Sequence, residues 1–174
     1  KAMPRLPKLT RLRNDRSGAT IVEFGLLAMP FLLIVFATIE TSLVFLGELT
    51  LDQAVARVSR TVRTGEIQAA NLSEVDFRKR LCGKVGFLLD CQKLQIDLKS
   101  YSSFAAIPSS SPISDGNLDT SGFSYAPGGP GSIVALRVYY KWPIYTDLMR
   151  KYLSNMGDGS HLLAGMAAFR TEMF

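Results

Sequence analysis

Residues 24–46 read FGLLAMPFLLIVFATIETSLVFL, a run whose one charged residue is Glu40. At about 1.5 Å per residue, a helix of this length crosses a hydrocarbon core of about 30 Å. The run is longer than the apolar core of a secretory signal peptide, and no small-x-small cut site follows it before polar sequence. Beyond it the apolar spacing stays helical. Leu51, Ala54, Val55, Val58 and Val62 recur between Asp52, Gln53, Arg57, Arg60 and Arg63. The pattern predicts one helix over 19–64 that stops at Gly65. Its part at 24–46 would face lipid, and the amphipathic remainder would pack on a water-soluble domain. Pro30 lies inside the apolar run, so a kink or a locally melted turn is expected over 26–30. That is either the ordinary tolerance of proline in membrane helices or local flexibility within a bundle of helices.

After Gly65 the pattern changes to that of one small domain, 65–174. Ser73 is a candidate N-cap for a helix over 73–85, with Asp76 at the third helical position and Val75, Leu81 and Val85 facing inward. Residues 94–99, LQIDLK, alternate strictly, which predicts a half-buried strand. Residues 102–131 are rich in Ser, Pro and Gly and read as a long, mobile loop, either a plain hairpin connection or a binding loop. A second strand is expected over 132–142, ended by Pro143 and paired with the first. A weak helical pattern follows over 145–155, then a third strand over 162–171. Helix, strand, strand, strand predicts an α+β domain, a small antiparallel sheet packed on the upper half of the long helix.

Charge adds an orientation. The formal net charge is +5, yet residues 1–18 hold Lys1, Arg5, Lys8, Arg11, Arg13 and Arg16 against Asp15 alone. Without that leader the 174-residue chain is neutral, so no basic face is left for nucleic acid. A basic leader beside an apolar helix is a topology signal that keeps the N-terminus cytoplasmic and sends residues 65–174 across the membrane. A disordered tail binding anionic lipid is a compatible reading.

The candidate chemistry is sparse. Cys82 and Cys91 are the only cysteines. On the non-cytoplasmic side of the membrane they would be oxidised, and a turn containing Gly83 and Gly86 would let them join; otherwise they are two unrelated buried thiols. With His161 alone they make no four-ligand metal set. No phosphate loop, Cys-x-x-Cys pair or catalytic constellation stands out, so no enzyme activity and no cofactor are expected. Glu40 is costly at a bilayer centre, by about 2.5–3.5 kcal/mol on insertion scales. It is expected to be protonated, near headgroups or paired with another subunit, with Thr38, Thr41 and Ser42 partly solvating it.

The sharpest motif is Ser17-Gly18-Ala19-Thr20-Ile21-Val22-Glu23-Phe24. Glu23 reads as a first-turn carboxylate favoured by the helix dipole. With SGATIVEFGLLAMPFLLIVFATIE, the paired cysteines and the C-terminal LLAGMAAFRTE, the chain resembles the TadE/TadF-like pseudopilins of tight-adherence (Flp, type IV) pilus systems. The resemblance implies cleavage between Gly18 and Ala19 by a prepilin peptidase. Glu23 would then be the fifth mature residue, free to pair with the new Ala19 amine of its own chain or a neighbour, and Phe24 would follow it. It also implies a pilin-like fold in the bacterial inner membrane, crossing once. Implied partners are other pilins and minor pseudopilins, the pilus assembly platform and membrane lipid, with no nucleic acid. The sizeable domain after the helix departs from the major Flp pilin and points to a minor subunit. The alternatives are an uncleaved scaffold of the pilus secretion machine and a surface adhesion subunit.

Overall fold

The computed structural model describes residues 18–174, so the basic leader expected over 1–18 lies outside it apart from Gly18. The chain divides into two compact units, Lys1–Ile39 and Glu40–Phe174. Helix α1, Ala19–Arg63, forms the described part of the first unit and opens the second. In the first unit no residue from 18 to 39 is buried; Phe24, Leu27, Phe31 and Ile34 all stand more than 60% exposed. Pro30 lies inside the helix and no turn is melted there. Proline removes one donor, and its fixed φ is itself helical, so the flanking turns carry the helix through.

In the second unit α1 presents one buried stripe. Glu40, Val44, Gly47, Leu51, Ala54, Val58 and Val62 follow one another at intervals of three or four residues, the repeat of a single helix face. Arg63 is the last helical residue, and Gly65 follows at φ +76°, a left-handed conformation that favours glycine. A one-turn helix α2, Glu66–Ala69, leads to α3, Glu74–Val85. The Ser73 side chain caps α3 by accepting from the Asp76 amide. The face of α3 that enters the core is Phe77, Leu81 and Val85; Val75, expected inside, is 62% exposed. The repeat of four from Phe77 selects that face and leaves Val75 to solvent.

The sheet has three antiparallel strands in the order β1-β4-β5. They are β1 Gln95–Tyr101, β4 Ile133–Trp142 and β5 His161–Arg170. A short hairpin, β2 Ile113–Ser114 with β3 Asn117–Leu118, interrupts the connection from β1 to β4, and helix α4, Asp147–Leu153, lies between β4 and β5. One face of the sheet packs on α1 and α3 through Leu98, Val134, Leu136, Val138 and Leu163. Two glycines let backbone and side chain meet closely. A Cβ on Gly165 would lie 2.9 Å from Val55 Cγ2 and 3.2 Å from the Leu51 carbonyl, and one on Gly47 would lie 2.9 Å from Leu163 Cδ1.

The other face is not left to water, which corrects two expectations. Strand β1 is not half-buried, because Ile96, Asp97 and Leu98 are all buried. The long connection is not a bare loop. It carries the β2–β3 hairpin, bonds across β1 through Leu98 N to the Ser124 carbonyl and Ala126 N to the Leu98 carbonyl, and stacks Phe123 on Tyr139. Leu118, Phe123, Tyr139, Met156 and Leu162 make a second small core there. Next to it, Asp97 and Arg137 pair in register across β1 and β4. The guanidinium donates to Asp97 Oδ2 through Nε at 3.1 Å and Nη2 at 2.6 Å, and Ser124 N donates to Oδ1 at 3.1 Å. Burial works against the Arg137 charge, but these bonds to the carboxylate more than offset it and hold the guanidinium above its usual range.

Candidate functional site

The helix that carries the site begins at Ala19, and the Gly18 carbonyl accepts the Val22 amide at 3.2 Å to close its first turn. Gly18 and Ala19 are exposed, and a Cβ on Gly18 would meet nothing within 4 Å, so nothing described crowds the bond between them. Glu23 is the fifth helical residue, not a first-turn one, since the first turn of α1 holds no acid. The helix dipole fades within the first turn and therefore does little for it. The four-residue interval instead sets Glu23 on the same side of the helix as Ala19, one turn along. Glu23 is exposed, and Phe24 beside it is 72% exposed. Gly18, Ala19, Glu23 and Phe24 are thus gathered within two turns of one exposed helix end, with Glu23 the one charged residue between Ala19 and Ile39.

Glu40 lies apart from that group and does different work. It is 6% exposed and is engaged within its own chain. Its Oε1 accepts the amides of Tyr145 and Thr146, the latter at 3.2 Å, and its Oε2 accepts the Thr146 amide at 3.3 Å and the Thr146 hydroxyl. Thr146 is in turn the N-cap of α4, accepting from the Met149 amide. A carboxylate on the stem therefore satisfies amides that the start of a helix leaves without intrahelical partners.

Hydropathy along 24–46 singled out Glu40 but could not supply its partners, which lie more than a hundred positions away. The folded domain already covers α1 at Glu40, Val44 and Gly47. Leu43, Phe45, Leu46 and Leu49 on the remaining face stay exposed.

Cys82 and Cys91 form a disulfide, with Cα atoms 5.6 Å apart, joining the end of α3 to the approach to β1. The His161 Nδ1 lies in hydrogen-bond contact with the Leu153 carbonyl. Asp158 sits in the turn before β5, where it takes the Ser160 amide and hydroxyl and pairs with Lys141 at 3.2 Å. The Asp97–Arg137 pair escaped the sequence reading. Its signal was one charge of each sign at the centre of two apolar strands expected to be neighbours.

By length and composition α1 can cross a membrane, with a mean hydropathy of 2.2 over an 18-residue window that is unburied in the structure. No curated protein and no solved structure matches the chain. Residues 18–60, from the glycine before the helix through most of its buried stripe, match the model of the TadE-like protein family, the pilus-associated family that the sequence resembles.

Proposed function

We propose that the protein is a minor pseudopilin of a tight-adherence pilus, held in the inner membrane by the first part of α1. In this reading its disulfide-linked α+β domain stands on the periplasmic side. The observation that carries the reading is the surface of residues 19–39: none of them buried, predominantly apolar with Glu23 the one charged residue, and directly following the glycine of a Gly-xxxx-Glu-Phe motif. A folded domain does not leave so long an apolar surface uncovered without lipid or partner helices to meet it.

A prepilin peptidase would cut between Gly18 and Ala19. The amine released on Ala19 would lie one helical turn from the Glu23 carboxylate, in the same chain or in a neighbour that packs alongside. Exchange of lipid for neighbouring helices has little hydrophobic drive of its own, since both are apolar. Direction would come from that ion pair and from contacts of the outer domain, with the assembly platform and other pilins as partners.

The mature N-terminus tests the reading. Mass spectrometry of the protein from its native membrane should find Ala19 at the start; an intact leader would instead make it an uncleaved scaffold of the secretion machine. Cells carrying Glu23→Ala should insert the protein normally and lose pili. Unchanged piliation in those cells would remove the pairing role.

A further inference from the structure

Helix α4 and the residue two before it turn an aromatic and apolar face to solvent. Tyr145 is 75% exposed, Leu148 52% and Tyr152 70%, whereas the neighbouring Trp142 and Ile144 are buried. Leu148 and Tyr152, four residues apart, share one side of the helix. Basic side chains flank that side. Arg150 is held by Asp147 at 3.0 Å, while Lys151 is exposed and has no ion-pair partner among the described residues. A tyrosine, a leucine and an unneutralised lysine on one short helix, with a second tyrosine just before its cap, match the chemistry of a bilayer interface, where amphipathic rings sit at headgroup depth and lysine meets anionic phosphate.

The place of this helix in the chain says which surface it would meet. Glu40 fastens Tyr145 and Thr146 through their amides, and Glu40 directly follows Ile39, the last residue of the unburied apolar run. The start of α4 is thus tied to the residue at which the apolar run ends. Phe45 and Leu46, just beyond Glu40 on the uncovered face of α1, are also exposed. We infer that α4 is a second membrane contact, a shallow docking surface for anionic phospholipid headgroups that seats the outer domain on the bilayer. The inference rests on reading residues 19–39 as the membrane span, and Lys151 selects for negative lipid.

The test uses the full chain in bilayers, with the Cys82–Cys91 disulfide intact and one fluorophore attached through Phe31→Cys, Lys79→Cys, Leu148→Cys or Tyr152→Cys. Quenching is read from lipids carrying a nitroxide at the headgroup or deep in the acyl chain. In phosphatidylglycerol bilayers, headgroup nitroxides should quench positions 148 and 152 several-fold more than position 79. The excess should fall in phosphatidylcholine, and on adding Lys151→Glu. Quenching at 148 and 152 no greater than at 79, with position 31 quenched by the deep nitroxide, overturns the docking surface and leaves the span standing. Failure of the deep nitroxide to quench position 31 removes the span and the docking surface together. Equal quenching in both lipids overturns the selection for anionic headgroups. Shielding of 148 from aqueous iodide without quenching by lipid would mean that another protein covers the face, and also overturns it.

Discussion

Glu40 on α1 accepts both the amide and the hydroxyl of Thr146, the residue that caps α4. One carboxylate therefore ties a helix start to the stem across more than a hundred positions of chain. Replacement by alanine would leave the Tyr145 and Thr146 amides, part-buried under the carboxylate, without their acceptor. Hydrogen bonds to a charged group contribute about 1.5–3 kcal/mol each. Glu40→Ala should thus lower the stability of the outer domain by roughly 2 kcal/mol or more. Glu40→Gln, which keeps an acceptor oxygen, should cost less. Denaturant unfolding of the full chain in micelles checks the order. In a double-mutant cycle with Thr146→Ala the two losses should not add, because the residues share one set of bonds.

How far the chain could be read in advance follows from the range of its interactions. The long helix was legible because its signal is local: an apolar run, then a 3.6-residue repeat, then Gly65. So were the Ser73 cap, the three long strands and the disulfide, each encoded within about a dozen residues. The partners of Glu40 were not, because nothing near it in sequence shows that Tyr145 and Thr146 return to it. The burial of Asp97 was hidden for the same reason. Strict alternation in LQIDLK correctly predicts two faces, but whether the second face is covered depends on Leu118, Phe123 and Ser124. Those residues sit in a stretch whose composition reads as loop. At the N-terminal motif the helix start at residue 19 was legible, and counted from that start Glu23 is the fifth helical residue, just past the first turn to which it was assigned.

Asp97 and Arg137 sit opposite each other at the middle of the sheet, both buried. Removing one partner of a buried pair costs about 3–5 kcal/mol, and the half-buried Lys99, 3.4 Å from Asp97 Oδ1, offsets only part of that for Asp97. Arg137→Met alone should therefore unfold the outer domain at much lower denaturant than the parent. The double replacement Asp97→Leu with Arg137→Met should recover a large part of the loss, since an apolar pair of similar volume needs no counter-charge. A double variant no more stable than Arg137→Met would show that the Ser124 amide, not the ion pair, is what the site requires.

Gly165 and Gly25 offer a matched contrast on one structure. A Cβ at Gly165 would meet Val55 Cγ2 at 2.9 Å and the Leu51 carbonyl at 3.2 Å, whereas one at Gly25 would meet nothing within 4 Å. Overpacking a close contact costs about 1–3 kcal/mol. Alanine for glycine in a free helix gains up to about 1 kcal/mol of helix propensity. Gly165→Ala should lower the thermal midpoint of the outer domain and expose β5 to limited proteolysis. Gly25→Ala should do neither.

Asp158 supplies a pH dependence that can be assigned to one carboxylate. The Ser160 hydroxyl and amide, helped by Lys141, hold it well below its ordinary value of 3.8, at about 2. Because the folded value is depressed, its contribution to stability is complete above pH 3.8 and is lost as the pH falls toward 2. The group is largely open to water, so the contribution is small. Its signature is in the titration more than in the midpoint of unfolding. Carbon-13 chemical shifts of the Asp158 carboxyl should titrate near 2 in the parent, and Ser160→Ala should move that midpoint up toward 3.8. Lys141→Met should move it less, since the serine bonds contribute more. A carboxyl that titrates near 3.8 in the parent would show that the turn between Asp158 and Ser160 is open in solution.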